Sequence, residues 1–317
     1  MNKNNDWQIL MDSLKSQHKK IAELIGDQKV AYIDMPLYFN VGDLLIYKGT
    51  ERFIEEYNVN VVYRAGYKYN SKKVESADVI LLQGGGNFGD LYGKHQSLRE
   101  DIVKKFPGKK IICLPQSIHY ENSDNLSKSL EIFRKHSDFH FCVRDHESIK
   151  LAKKFTDKVY LMPDMAHSLH PLISKIECVN DLDYANSIRV LNMERKDKEH
   201  AKITERMNKK SFDWDQIITL NEMRTRRILE KLYRISFMEG KVINNWERLS
   251  DDIVFKSVNF FMNHELVYTN RLHGFILASL LGKQIVLNDN SYQKNNRYYD
   301  AFMKNYPFIY NNKREQE

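Results

Sequence analysis

Through the first half of this chain, short apolar runs alternate with stretches of helical spacing, and that alternation restricts the fold more than any other feature. Residues 30–35, 59–64, 79–83, 110–114, 139–143 and 159–162 read as strands. Residues 44–57, 96–106, 127–136 and 147–155 carry helical patterns between them. Parallel neighbours need a long crossover, which a helix supplies, so the pattern predicts a parallel sheet covered on both faces.

From residue 164 to 186 the pattern loosens around Pro163, Pro171 and an Asn/Asp-rich stretch at 180–183, which reads as a linker. A second unit follows, with a strand at 187–193, helical stretches at 216–237 and 251–264, and a strand, helix, strand unit. In that unit 265–268 is a strand, Phe275, Ile276, Leu277, Leu280 and Leu281 repeat at helical spacing, and 283–287 is the next strand. The expectation is an α/β protein of two Rossmann-like domains facing a cleft. Residues 1–185 form the first, with the linker from about 164, and residues 186–292 the second; the Tyr-, Phe- and Asn-rich tail, 293–317, has helical potential and crosses back to the first domain.

With 317 residues, each domain is expected to bury its own core. The net charge of +7 is uneven, because residues 189–241 hold fourteen Lys and Arg against nine Asp and Glu, so that segment is expected to face something anionic. Cys113, Cys142 and Cys178 are widely spaced and imply no disulfide framework. Near the start, Trp7, Leu10, Met11, Leu14, Ile21, Leu24 and Ile25 lie among charged residues, an amphipathic helix rather than an export signal. No apolar run approaches the roughly 20 residues of a spanning helix, so membrane contact is expected to be peripheral.

The residues able to do chemistry gather at strand ends. In an open α/β sheet, ligands collect outside the carboxyl ends of the strands. Asn40-Val-Gly-Asp43 stands where a strand gives way to a helix: Gly42 permits close approach, Asp43 is expected to cap, and the free amides suit an anion, although a plain capped turn would carry the same residues. Gln83-Gly-Gly-Gly-Asn-Phe-Gly-Asp90 follows a strand and lets backbone amides face a phosphate or sugar, with Gly85, Gly86, Asn87 and Asp90 as candidate contacts. It matches neither a Walker loop nor a dinucleotide fingerprint, and a structural glycine turn is the alternative.

Leu114-Pro-Gln-Ser-Ile118, with Gln116, and Val143-Arg-Asp-His-Glu-Ser148 end two further strands. Arg144 can grip a carboxylate or phosphate in bidentate fashion, while Asp145 or Ser148 caps the next helix. Arg195 ends the first strand of the second unit and would face the cleft as an acceptor or anion contact, although a solvated face accounts for most of the charges that follow it. Arg271 and His273 end another, and Lys294 closes the stretch after the last. His167 and His170 stand three apart without matching ligands nearby, so no metal site is expected.

Taken in order, residues 40–43, 84–90, 114–118, 143–148, 163–166 (Pro-Asp-Met-Ala), 271–274 and 289–294 resemble the polysaccharide pyruvyl transferases over about 255 residues, a set far more specific than any one motif. The resemblance implies a two-domain protein of the glycosyltransferase B type. It implies transfer of pyruvate from phosphoenolpyruvate to sugar hydroxyls, commonly as a cyclic ketal, in exopolysaccharide, capsule or cell-wall polymers. Carried over, the donor-binding arginine falls on Arg144, the histidine on His273 and the lysine on Lys294, with Arg271 beside them. Family members often carry Asp where this chain has Asn270, an exchange that removes a charge able to orient Arg271. The basic segment from Arg195 to Lys241 is a second departure, and it bears on acceptor recognition.

Phosphoenolpyruvate carries a carboxylate and a phosphate on adjoining atoms, so its pocket needs cations on more than one side; Arg144 and Lys294 would supply them. A proton must reach the methylene carbon, and His273 is the acid by type, since a dianionic neighbour favours a charged imidazole. The same histidine would then accept the next proton, with Asp43, Asp90 and Asp145 as competitors for the base role. The chemistry requires neither metal nor nucleotide, because the leaving phosphate already activates the donor. By resemblance the acceptor is a lipid-linked oligosaccharide or growing polymer in the cytoplasm, and the basic helix with Arg224, Arg226, Arg227, Lys231 and Arg234 would attract an anionic bilayer. A nucleotide-sugar glycosyltransferase of the same architecture is the rival reading. A non-catalytic polysaccharide- or nucleic-acid-binding protein is another, but paired basic and aromatic readout motifs are absent, so no nucleic acid is expected.

Overall fold

The structure is a computed structural model that describes residues 2–172, 188–195, 211–289 and 293–310. Expectations for Cys178, the stretch 180–183, the basic residues 196–210 and residues 290–292 lie outside the described residues.

Two helices, α1 (Lys3–Ser16) and α2 (Lys19–Ile25), precede the first sheet. Its seven strands are β1 (Val30–Ile33), β2 (Val61–Arg64), β3 (Val79–Leu82), β4 (Gly85–Gly89), β5 (Lys110–His119), β6 (Phe139–Val143) and β7 (Val159–Leu161). They pair in parallel in the order β2-β1-β3-β5-β6-β7, with β4 beside the second half of β5. Helices α3 (Val41–Glu56), α4 (Ser71–Glu75), α5 (Gly93–Lys105), α6 (Ser123–Phe133) and α7 (His146–Ala152) make the crossovers. A second parallel sheet takes β8 (Val190–Met193), β9 (Leu266–Thr269), β10 (Gln284–Leu287) and β11 (Ile309–Tyr310) in chain order. With it run α8 (Leu220–Leu232), α9 (Glu239–Met262), α10 (Leu272–Leu280) and α11 (Lys294–Tyr298). The protein is therefore a mixed α/β fold of Rossmann-like character.

The central strands are apolar throughout because helices cover both faces. Alternation sends Ala31 and Ile33 to one face and Val30 and Tyr32 to the other, which gives two apolar clusters. The second continues through α3, α9 and α10 into Met193, Val267 and Ile285 of the smaller sheet, so the halves share a core where the sequence led us to expect one each. The N-terminal helix is bound into that shared core by Met11 and Leu14, and the Trp7 indole donates to the Ser279 carbonyl at 2.7 Å.

Three elements differ from the sequence expectation. Helix α9 begins at Glu239, not 251, because Val242, Ile243, Trp246, Leu249 and Ile253 continue one buried stripe. The glycine run is not a free loop: Gly85–Gly89 is a strand, and β5 runs past Pro115 to pair with it, with the register shifting between Gly85 and Phe88. The tail touches the first half through Tyr298, whose hydroxyl accepts the Asp164 N–H at 3.0 Å, yet its last strand, β11, extends the smaller sheet.

Close backbone packing places the segment that carries Asp164. A Cβ at Gly49 of α3 would lie 2.1 Å from the Met165 carbonyl oxygen. Gly49→Ala is therefore expected to cost about 1–3 kcal/mol, since backbone cannot yield as a side-chain tip can. Urea denaturation would read this as a lower midpoint with an unchanged slope, and a midpoint equal to wild type would refute the close contact.

Candidate active site

In the larger sheet the strand order reverses between β1 and β3, the position where doubly wound sheets open a crevice. A cavity of about 370 Å³ lies there, and the carboxyl ends of both sheets contribute to it. Asn40 and Asp43 follow β1, Gly86 and Asn87 follow β3, and Arg144 follows β6; from the smaller sheet come Arg195 after β8, Arg271 and His273 after β9, and Lys294 after β10. Side chains from strand ends more than a hundred residues apart thus line one space.

Two helices of ordinary length begin at this cavity. Asn40, not Asp43, caps α3, its side chain accepting the Gly42 N–H at 3.0 Å. Arg271 stands at the N-cap of α10 with no side-chain cap, and Leu272 and His273 of its first turn line the cavity. Both helix dipoles turn their positive ends to the same space, which favours an anion.

Arg144 is 2 % exposed. Its guanidinium pairs with Asp164 and donates from Nε to Ser117 Oγ at 3.0 Å. Asp164 also lies 3.4 Å from His273 Nε2, within ion-pair reach although outside hydrogen-bond alignment. Burial acts to raise the Asp164 carboxyl, but the Arg144 guanidinium and the His273 ring hold it well below the usual carboxylate range. One buried carboxylate thereby fixes two of the residues expected to act. Pro163-Asp164 gives no role to Asp164 by itself; its place after β7, on the sheet edge that carries Arg144, is the available signal.

Glycines make the remaining room. A Cβ at Gly42 would lie 2.4 Å from His273 Nδ1, so the imidazole rests directly on the first turn of α3. A Cβ at Gly86 would lie 2.9 Å from Arg144 Nη2 and 3.8 Å from Lys294 Nζ, so the bare backbone of Gly86 leaves a space that both cations reach.

Several expected contacts are engaged elsewhere. Asp90 lies outside the cavity lining, and its carboxylate accepts the Glu121 and Asn122 N–H groups, each at 2.9 Å. Asp145 caps α7 through the Ser148 N–H at 2.7 Å and lies outside the cavity lining. Gln116 is fully buried, donating to the Gln83 carbonyl at 2.8 Å. Gly85 is buried outside the cavity lining with φ at 130°, a conformation that favours glycine, and it shapes the strand entry. Asn87 lines the cavity while its side-chain oxygen accepts from Arg99 Nη2 at 2.7 Å.

Arg271 of the smaller sheet has a side-chain partner, and Arg195 a backbone one, that the sequence does not disclose. Arg271 is gripped by Asp213, with Nε to Oδ1 at 2.8 Å and Nη2 to Oδ2 at 2.5 Å. Asn270 does not orient Arg271; its side-chain oxygen accepts the Arg195 backbone N–H at 2.7 Å. Trp214, Tyr38, Phe39, Tyr92 and His95 also line the cavity. None carried a motif, since each is brought in by packing.

His167 and His170 serve packing: the His167 ring stacks on Tyr298 at 6.1 Å, and His170 Nε2 lies 3.4 Å from Asp12. Among the described residues no group of three His, Cys, Asp or Glu could hold a metal ion, and no helix is long and apolar enough to cross a membrane. Beneath Asp164, burial lowers His18 to about 4, against the pull of the Pro163 carbonyl, and lowers His167 to about 3. Both rings are then neutral when folded, while the unfolded chain binds protons near pH 6.5. Their contribution to stability is complete above pH 6.5 and declines as pH falls toward 4. Melting temperatures taken from pH 7 to pH 4 are expected to fall steadily, and replacing His18 with Gln should flatten that slope; an unchanged slope would contradict the neutral buried ring.

A model of the polysaccharide pyruvyl transferase family matches residues 40–292, and so takes in strands of both sheets. The chain is 38% identical to the Bacillus subtilis protein named "Putative pyruvyl transferase EpsO", covering 94% of this chain and 92% of that one. It is 28% identical to "Pyruvyl transferase 1" of Schizosaccharomyces pombe over 84% of this chain and 67% of the relative. A crystal structure of an uncharacterized Klebsiella pneumoniae protein superposes with a TM-score of 0.59 at 21% identity, covering 94% of this chain and 98% of that one, which shows a shared fold. With a family match over most of the chain and a relative alike along nearly its full length, the chain belongs to the polysaccharide pyruvyl transferase family.

Proposed function

We propose that this protein transfers the pyruvyl group of phosphoenolpyruvate to hydroxyls of a sugar, closing a cyclic ketal, during synthesis of an exopolysaccharide, capsule or cell-wall glycan. The observation that carries the reading is the space over Gly86, reached by Arg144 from one sheet and Lys294 from the other, beside the His273 imidazole and two helix N-termini. A small ligand with a carboxylate and a phosphate on adjoining atoms fits such a distribution of charge. Two Rossmann-like domains, residues 1–185 and 186–292, with the tail at 293–317, would make the arrangement glycosyltransferase B-like.

In this mechanism His273 gives a proton to the methylene carbon, which leaves C2 electron-poor, and a sugar hydroxyl adds there. Phosphate then departs with the electrons of its C–O bond, and a second hydroxyl closes the ketal. Arg144 and Lys294 balance the donor's charge, and Arg271 borders the acceptor side. Of the carboxylates expected as bases, Asp43 alone lines the cavity. The reading needs no metal or nucleotide, since the donor is already activated. A lipid-linked or polymeric acceptor would bring the protein to the cytoplasmic face of a membrane. The outward residues Arg224, Arg227 and Lys231 of α8, with exposed Leu220 and Ile228, suit an anionic surface, whereas Arg226 turns inward over the Phe39 ring.

Calorimetry comparing phosphoenolpyruvate with nucleotide sugars tests the donor, and mass spectrometry of lipid-linked glycans incubated with the protein tests the transfer. Binding confined to a nucleotide sugar would sink the proposal. Gly86→Ala should weaken phosphoenolpyruvate affinity about tenfold or more, because its methyl enters the space between the two cations; an affinity equal to wild type would show that the donor sits elsewhere.

A further inference from the structure

A second cavity, of about 780 Å³, adjoins the first, and Tyr38 and His95 line both. His95 stands in the first turn of α5, and its Nδ1 lies 2.8 Å from Asp34 Oδ1. Asp34 is buried directly after β1, with φ at 71°, a backbone conformation a non-glycine residue adopts only when its surroundings impose it. Its other oxygen accepts from Arg99 Nη2 at 2.7 Å, and Arg99 is itself fully buried, donating also to the Asn87 carbonyl at 3.0 Å. A carboxylate placed only to neutralise Arg99 would not need to turn its second oxygen to an imidazole at the junction of two cavities.

With Nδ1–H donating to Asp34, the lone pair of His95 is on Nε2, which has no protein hydrogen-bond partner among the described residues. A buried carboxylate holding an imidazole in one tautomer is the arrangement of a general base. The rival base, Asp43, lines the first cavity alone, whereas His95 stands where the two meet. Beyond His95 the second cavity presents Tyr67, 42 % exposed, whose ring is braced edge-on by Tyr233 at 5.6 Å. Exposed, immobilised aromatic faces suit the C–H face of a pyranose.

We propose that the second cavity is the acceptor subsite, receiving a hexose of the glycan against Tyr67, and that His95, oriented by Asp34, takes the proton of the attacking hydroxyl. This rests on the donor reading given above. As the sugar oxygen bonds to C2, its proton passes to His95 Nε2 while His273 protonates C3. The C2–O bond to phosphate then breaks with its electron pair, His95 returns its proton to the departing phosphate, and the same nitrogen receives the proton of the second hydroxyl. That last proton reaches solvent, from which His273 is recharged.

The test uses the full chain, phosphoenolpyruvate, and a panel of methyl hexopyranosides and lipid-linked hexose glycans. Wild-type protein that neither binds nor consumes phosphoenolpyruvate overturns the donor reading and this one with it. Given donor binding, His95→Gln should keep phosphoenolpyruvate affinity within about twofold while kcat for transfer falls about 100-fold or more. Tyr67→Ala should raise the acceptor KM about tenfold with kcat retained. Near-normal transfer by His95→Gln, or donor affinity lost in proportion to kcat, overturns the assignment. So does the absence of any pyruvylated product across the panel. Asp34→Asn should reproduce the kcat loss with donor affinity kept; if that variant does not fold, the His95 and Tyr67 results decide alone.

Discussion

Replacing His273 with Gln is expected to lower pyruvyl transfer by about 100-fold or more while leaving the fold intact. The ring stands in the first turn of α10, rests on Gly42 and is 3.4 Å from Asp164. Glutamine is of similar reach, so the turn of α3 and the carboxylate behind it keep their places. An amide donates a hydrogen bond yet cannot deliver a proton to carbon near neutrality, so kcat should suffer more than donor affinity. Phosphate release and mass spectrometry of the acceptor would measure both. Turnover near wild type would remove His273 from the acid role, whatever the family.

The second large effect should follow removal of the Asp164 carboxylate. Arg144 is nearly inaccessible to water, and Asp164→Ala leaves its guanidinium without a counter-charge in that setting. Breaking such a buried pair costs about 3–5 kcal/mol. The Ala166 N–H also loses its acceptor, the Asp164 side chain at 2.9 Å. Activity should fall with stability, since His273 and Arg144 lose their common anchor. The pH dependence separates this from a generic core defect. Because the folded carboxyl lies below its unfolded value, its stabilisation is present above the ordinary carboxylate pKa of about 3.9 and is lost as pH falls through the folded value. Urea midpoints of wild type and Asp164→Ala should therefore be far apart at pH 7 and converge in strong acid. A gap that stays constant with pH would mean that the charge pair is not what stabilises this region.

The legible parts of this protein were those with a period or a local rule. Strand β6 was read at its observed bounds, and β1, β3 and β7 within a residue or two, because buried parallel strands are short apolar blocks with helical spacing between them. Strand-end position also led to Arg144, His273 and Lys294, which line one cavity. The extension of β5 through Pro115 was not legible. Its pairing partner is a glycine strand that no propensity would nominate, and only the register between them makes either a strand.

The candidate residues that stand away from the cavity share one cause. Asp90, Asp145 and Gln116 have the right chemistry at the right sheet edge, but each is used by a neighbouring backbone group or carbonyl. A side chain's role depends on which partner is nearer, and sequence spacing does not give that distance. Asp164, Asp213 and Asp34 illustrate the converse, ordinary aspartates whose partners Arg144, Arg271 and Arg99 are 20, 58 and 65 residues away.

The sequence by itself determined the α/β alternation, the sheet edge on which ligands would gather and the family, because these depend on periodicity and on ordered motifs carried along the chain. Tertiary structure alone decided which cations share the space over Gly86, which carboxylate anchors Arg144 and His273, and that Tyr38 and His95 stand between two cavities. The physical reason is that such contacts join strand ends remote in the chain, at distances set by the packing of α3 against α10 and the Asp164 segment rather than by any local rule.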